Sequence, residues 1–324
     1  MIEWRDNGVI ENHRPAASMN LHSTDPFNLD DYLRRQSALI DHALENYLGR
    51  YAVAQQTIFR AMHYGVFPGG KRIRPILTLA AGALFGAPVN RSMPFACAVE
   101  FIHAYSLIHD DLPALDDDDL RRGAPAAHKV FGQGMALLAG DGLLTEAFHL
   151  MADREATGSV EPALALALIL ELARAAGVMG LVGGQALDLE AEEKAADLAT
   201  VEAIHVRKTG ALILAAIRIG ARLGGATDSD LGKITRYGEY LGLAFQIADD
   251  ILDAREETQM HGESAHKEQK KATYPLVVGI VQARERLSEV MQLSLGALEP
   301  YGARALPLAA IARHVAARAL DARG

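Results

Sequence analysis

The chain has 324 residues, of which 50% are hydrophobic and 23% charged, with a formal net charge of −9. That balance can bury a sizeable core and excludes a nucleic-acid partner, which would require a basic face. Cys97 is the single cysteine, so no intrachain disulfide can form, and a buried thiol in a reducing cytoplasm is the expectation.

Aromatic residues make up only 6% of the chain, alanine and leucine are abundant, and long stretches lack proline, which favours helix over sheet. The fold class read from this is all-α. Residues 1 to 28 are polar, contain Pro15 and Pro26 and show no helical period; they read as a flexible N-terminal tail without the apolar core of a secretory signal. No apolar run is expected to span a membrane, since Glu171 interrupts even Pro162 to Leu172. A cytoplasmic protein follows.

From Leu29, the apolar residues Leu33, Ile40, Leu44 and Leu48 recur between charged positions and predict a first helix ending at Gly49. A second is predicted from Tyr51 to Tyr64. The turn Pro68-Gly69-Gly70-Lys71-Arg72-Ile73-Arg74-Pro75 then carries three cations before a third helix from Ile76 to Phe85. Ser92 and Pro94 suggest the cap and first turn of a fourth, which Pro113 should end near Asp111. Further helices are predicted over 134–154, 161–176, 178–194, 201–223, 228–253, 274–289 or beyond, and 304–319, with Thr200 and Thr227 as N-terminal signals. No repeat or composition shift marks a boundary, so residues 29–324 read as one helical domain.

The fourth helix ends in six aspartates (Asp110, Asp111, Asp116, Asp117, Asp118 and Asp119), followed at once by Arg121 and Arg122. So much like charge calls for a cation, and Mg²⁺ takes carboxylates while leaving room for water and substrate phosphates. In an unbroken helix Asp110 and Asp116 would face about 240° apart; a break at Pro113 lets them converge. A second cluster, Asp249, Asp250 and Asp253, lies in a helical stretch where Asp249 and Asp253 share a face at the cost of a few tenths of a kcal/mol. A solvated acidic surface is the plain alternative for either cluster taken alone. Together they suit an enzyme that grips a polyanion between two carboxylate walls through bridging metal. Lys71, Arg72, Arg74, Arg121, Arg122, Lys208, Lys270 and Lys271 are the cations available for its oxygens.

Seven motifs in order carry a resemblance: GGKRIRP at 69–75, DDLPALDDDDLRRG at 110–123, LAGDGLL at 138–144, GGQALDL at 183–189, KTGALI at 208–213, FQIADDILD at 245–253 and KATYP at 271–275. From residue 29 onward the chain closely resembles the short-chain trans-polyprenyl diphosphate synthases. The resemblance implies an isoprenoid-synthase-type helical bundle around a deep central cavity, a homodimer, and condensation of isopentenyl diphosphate onto an allylic diphosphate. It implies that Asp110 and Asp116, with Asp111 nearby, hold two Mg²⁺ ions, and that Asp249 holds a third, supported by Asp250 and Asp253 directly or through water. By the same resemblance Arg121, Lys208 and Lys271 contact the allylic diphosphate. Lys71, Arg74, His103 and Arg122 bind isopentenyl diphosphate, and Gly70 lets the backbone approach. The Thr209 carbonyl and the Gln246 side-chain oxygen then face the developing cation.

Tyr105 lies five residues before Asp110, about 7 Å further down the helix, where a ring would block elongation. Family members with an aromatic there make fifteen-carbon chains, and Ser106 beside it is compatible, so farnesyl diphosphate is the expected product. Geranyl or geranylgeranyl diphosphate synthesis, and a catalytically silent partner subunit, are the alternatives. The segment from Gly262 to Lys270 departs from the family pattern by lacking its Gly-x-Asp, and Gln133 stands where Glu is common.

Overall fold

The computed structural model describes residues 27–50, 56–67, 69–158, 160–192, 197–261 and 273–320. The expected tail before residue 27, Lys271 and the departing segment from Gly262 to Lys270 lie outside the described residues.

Helix α1 (Leu29–Gly49) is capped by Asn28, whose Oδ1 accepts the Asp31 N–H at 3.0 Å. Its Ile40, Leu44 and Leu48, one helical face, are buried as the period required. Helix α2 (Thr57–Val66) follows. Helix α3 (Ile73–Leu84) begins three residues before the expected start, because Arg72 in the left-handed region turns the chain straight into it and Pro75 fits the first turn, where no N–H is needed. Helix α4 (Val89–Asp110) also starts early, behind Pro88, so Ser92 and Pro94 lie inside its first turns instead of capping it. It is buried on nearly every side, the mark of a central helix.

Past the aspartates, an unpredicted two-residue hairpin pairs β1 (Leu120–Arg121) with β2 (Ala124–Pro125). Its turn residues Arg122 and Gly123 both have positive φ, 53° and 79°, as a tight hairpin demands. Helices α5 (Ala127–Phe131), α6 (Gln133–Ala152), α7 (Arg154–Thr157), α8 (Pro162–Ala176) and α9 (Leu181–Glu192) come next. Helix α10 (Leu198–Ile204) is capped by Asp197, which accepts the Thr200 N–H and hydroxyl at 2.9 and 2.7 Å; Thr200 is therefore the capped residue and not the cap. It runs through a π-helical turn (His205–Gly210) into α11 (Ala211–Leu223). Helix α12 (Asp228–His261) starts behind Thr227, whose hydroxyl accepts the Asp230 N–H at 3.2 Å, and outlasts its predicted end. The helix predicted from Tyr274 is broken at Gly279 (φ 84°) into α13 (Tyr274–Val278) and α14 (Ile280–Leu298), and α15 (Leu306–Leu320) closes the chain.

The architecture is all-α. Helix α3 packs on α4 and α11, α4 on α6, and α12 on α11, α14 and α15, around a contiguous hydrophobic core. Gly220 allows α11 to meet α3: a Cβ there would sit 2.1 Å from the Thr78 carbonyl oxygen. The stretch Pro162–Ala191 is, against expectation, long and apolar enough by composition to cross a membrane, with a mean hydropathy of 1.9 over an 18-residue window. One or two charges do not outweigh so many apolar residues, and in the fold Glu171 is paired with Arg218 and Arg222 of α11. Gly177 divides the stretch into two helices, and its outer face leaves Leu166, Leu170, Val178 and Met179 exposed.

Candidate active site

The break after α4 folds the first aspartate wall together: the Asp116 N–H donates to the Asp110 carbonyl at 2.9 Å, and Asp117 takes the left-handed conformation beyond it. Asp111 is buried and Asp110 half-buried. From β1, Arg121 donates Nε to Asp111 Oδ1 at 2.8 Å and Nη2 to the same oxygen and to Asp118 Oδ2, the latter at 2.9 Å. Asp119 faces outward to Lys129 at 2.5 Å, away from this arrangement. The hairpin aims Arg122 the other way, so that its Nη1 donates to the Gly69 carbonyl. A Cβ on Gly70 would lie 2.7 Å from that nitrogen, so the guanidinium packs directly against the glycine.

Hairpin and Gly-Gly turn thus join into one cationic corner. Arg74 Nη1 donates to His103 Nε2 at 3.3 Å, and the imidazole is held well below its usual pKa by burial first and then by Arg74 and Arg122. Its neutral form is the acceptor this contact needs. Lys71 is exposed, and its pKa is lowered by partial burial and by Arg318 of α15. The third cation of the turn, Arg72, points away into the core: it is 4% exposed and donates to Glu100, Asp41 and the Val66 carbonyl. Arg72 therefore does not join Lys71 and Arg74 as a cation for phosphate oxygens, contrary to expectation, because Glu100 and Asp41 draw it inward.

The second wall rides on unbroken α12. Asp249 is half-buried and its pKa rises to about 6, through desolvation first and then through Asp253, one helical turn on. Arg318 and Arg74 work in the opposite direction, so this carboxylate looks across at the cationic corner. Asp253 is exposed. Asp250 turns inward: its oxygens accept the Gln246 Nε2–H at 3.0 Å and the Tyr274 N–H at 2.8 Å, and His205 Nε2 stands 3.2 Å away. Gln246 Oε1 in turn accepts the Thr209 hydroxyl at 2.8 Å, which fixes the amide. Thr209 and Lys208 belong to the π-helical turn, a distortion common at functional sites. Gly184 of α9 lets that turn approach, since a Cβ there would meet the Lys208 N at 2.2 Å. Lys208 Nζ donates to Asp188 Oδ2 at 2.7 Å.

Tyr105 is 4% exposed, packs edge-on to His109 with ring centroids 5.7 Å apart, and has its pKa pushed up to about 12 by burial and then by Asp110. His109 is held by the Leu137 carbonyl at 2.9 Å, in space that Gly140 leaves open. Ser106 donates back to the His103 carbonyl at 2.9 Å and is buried. A narrow recess beside the first wall is lined by Tyr64, Leu107, Ile108, Asp111, Arg121 and Arg122.

Among the described residues no three His, Cys, Asp or Glu side chains form a complete cation cage. Each wall offers a partial, all-oxygen set, and the second holds a carboxylate whose pKa is raised to about 6 by desolvation and by Asp253 beside it. That donor chemistry fits a hard divalent cation completing its shell with water and phosphate. Sequence reasoning missed four participants. Asp188 was visible only as a motif letter without a role, and Glu100 passed as a helix residue. His314 and Arg318 lie far along the chain on α15, yet the His314 pKa is lowered by burial and then by Lys71 and Arg318; basic residues on the last helix were their only signal.

The chain thus carries two carboxylate walls and a cationic corner on an all-helical frame. Residues 55–298 match the polyprenyl synthetase family, and the chain belongs to it. It is 41% identical to the farnesyl diphosphate synthase of Geobacillus stearothermophilus over 90% of this chain and 98% of that enzyme. It is 40% identical to the chloroplastic geranylgeranyl pyrophosphate synthase of Capsicum annuum over 91% of this chain and 80% of that one. The crystal structure of an FPP/GFPP synthase from Zymomonas mobilis superposes with a TM-score of 0.80 at 36% identity, covering 89% of this chain and 99% of that one. The protein is accordingly a transferase, a trans-prenyltransferase of the isoprenoid-synthase fold.

Proposed function

We propose that the chain condenses isopentenyl diphosphate with dimethylallyl and geranyl diphosphate to give mainly farnesyl diphosphate, within one helical domain spanning residues 29–324. The observation that carries this reading is the closure of Asp116 onto Asp110 beside Arg121, with Asp249 of the opposite wall within electrostatic reach of Arg74 and Arg318. Asp110, Asp111 and Asp116 would hold two Mg²⁺ ions and Asp249 with Asp253 a third. When bound there, Mg²⁺ neutralises charge on the leaving diphosphate. Asp250, hydrogen-bonded inward, serves that wall by orienting Gln246.

Arg121, Lys208 and Lys271 hold the allylic diphosphate, and Lys208 shares itself between that anion and Asp188. Lys71, Arg74, His103 and Arg122 hold isopentenyl diphosphate. As the allylic C–O bond breaks, the electron pair leaves with pyrophosphate. The Thr209 carbonyl and Gln246 Oε1 face the allylic cation as fixed dipoles. The isopentenyl double bond then attacks it, and the released proton passes to pyrophosphate, so no protein base is needed. The product leads down toward Tyr105, whose ring closes the path at fifteen carbons.

The exposed apolar face of Leu166, Leu170, Val178 and Met179 supports a homodimer. The single cysteine, a buried free thiol, supports a cytoplasmic setting. Incubating the purified chain with Mg²⁺, isopentenyl diphosphate and either dimethylallyl or geranyl diphosphate should yield fifteen-carbon product from both. A twenty-carbon product would favour the geranylgeranyl alternative, and no condensation would favour the silent subunit.

A further inference from the structure

Arg72 sits between two substrate-facing cations and faces neither substrate. Its φ of 49° is a conformation that non-glycine residues adopt rarely and keep only where the surroundings enforce it, typically at functional sites. Here hydrogen bonds to three helices enforce it. Nη1 donates to Glu100 Oε1 of α4 at 2.7 Å, Nε to Asp41 Oδ1 of α1 at 2.8 Å, and Nη2 to the Val66 carbonyl that ends α2 at 2.8 Å. The Phe67 ring lies 5.8 Å beneath the guanidinium. Arg72 and Glu100 side chains are each 3% exposed, whereas Asp41 is 46% exposed.

Glu100 has a second connection. Its Oε2 is buried without a hydrogen-bond partner, and both Arg74 and Arg122 lie within its electrostatic reach. It also precedes His103 by one helical turn on α4, hence on the same face. A single buried carboxylate therefore ties down the turn and supplies negative charge behind a corner where Lys71, Arg74 and Arg122 must gather before any diphosphate arrives.

We propose that Arg72 and Glu100 form a positioning pair for the isopentenyl diphosphate subsite: the pair draws Arg72 into the core, and so presents Lys71 and Arg74 outward at the spacing the anion requires. The inference rests on the function proposed above. The allylic cations take other partners: Arg121 is held by Asp111 and Asp118, and Lys208 by Asp188, so neither hangs on this pair.

The test uses the full chain with Mg²⁺, varying isopentenyl diphosphate at saturating geranyl diphosphate and then the reverse. Arg72→Lys, which cannot reproduce the forked contacts, should raise KM for isopentenyl diphosphate about 10-fold and leave KM for geranyl diphosphate within about twofold. Glu100→Gln should give the same split. The double variant R72M/E100L leaves neither buried charge unpaired, so it should fold and still show the split. Asp41→Asn, at the exposed rim, should show it at about threefold. A folded variant with an unchanged KM for isopentenyl diphosphate, or an equal rise in both KM values, overturns the proposal. Should the buried variants fail to fold, D41N decides: no change in its KM for isopentenyl diphosphate also overturns it. Wild-type protein inactive in the same assay would overturn the functional reading instead, so the two failures remain distinct.

Discussion

At the end of α4, Asp111 gives one oxygen to Arg121 while Asp118 gives another, and the chain break folds Asp116 onto Asp110. On α12 the acidic residues come one turn apart on an unbroken helix, where Asp249 has Asp253 for a neighbour and its pKa rises to about 6. The first wall carries its counter-charge within its own loop and hairpin. Among the described residues, the second takes its counter-charge from distant elements, through Arg74 on α3 and Arg318 on α15. Burial raises the Asp111 pKa as well, in spite of Arg121, so both walls carry a charge cost that a cation and diphosphate would relieve. The contrast is one of partners: the first wall is ordered by its own hairpin, and the second faces cations carried on other helices.

The hardest way to break that pairing is to delete one wall. Asp110→Ala and Asp249→Ala should each lower kcat/KM about 10³-fold, the scale of several kcal/mol of lost charge stabilisation, with circular dichroism unchanged. Near-normal turnover from either would dissolve the two-walled site. Next in size is the floor between them: Tyr105→Ala should shift the product beyond fifteen carbons, read by chromatography of the dephosphorylated alcohols, and an unchanged length removes Tyr105 from that role.

The charge state of the second wall can be read directly by pH. Because the folded pKa of Asp249 lies above its ordinary 3.8, the folded chain binds the proton more tightly than the unfolded one. Stability from this group is then fully present below pH 3.8 and lost as pH rises through about 6. Asp249→Asn should abolish that loss, worth at most about 3 kcal/mol, in metal-free thermal melts compared with wild type across this range. Identical pH profiles would mean that the second wall is not charge-frustrated. The smallest effect belongs to Asp119→Asn: the residue faces solvent and Lys129, so kcat/KM should stay within about twofold.

Much of this was legible in the residues. The 3.6-residue period marked α1, both acidic clusters stood out by charge, and Pro113 announced the break that brings Asp116 back to Asp110. Backbone conformation was not legible where tertiary packing imposes it. Nothing local says that Arg72 turns left-handed into the core, or that Lys208 and Thr209 lie on a π-helical turn; Glu100 and Gly184, distant in sequence, decide both. The hairpin had a signal in Arg122-Gly123 before Ala124-Pro125, but two-residue strands bury too little to show a period. Gly279 could have been read as the division between α13 and α14. Helix starts moved because Pro88 and Arg72, neither a side-chain capping residue, begin α4 and α3. The approach of α15 to Lys71 joins residues more than two hundred apart and is a property of the packed bundle alone.

The central claim is that both walls are needed to hold one diphosphate through divalent cation. Calorimetric titration of inorganic pyrophosphate into the chain, with and without Mg²⁺, tests it most directly, using Asp110→Asn and Asp249→Asn as single-wall variants. Binding by wild type only with Mg²⁺, and its loss in each variant, is the predicted result. Binding that ignores Mg²⁺, or that survives either substitution undiminished, would contradict the account.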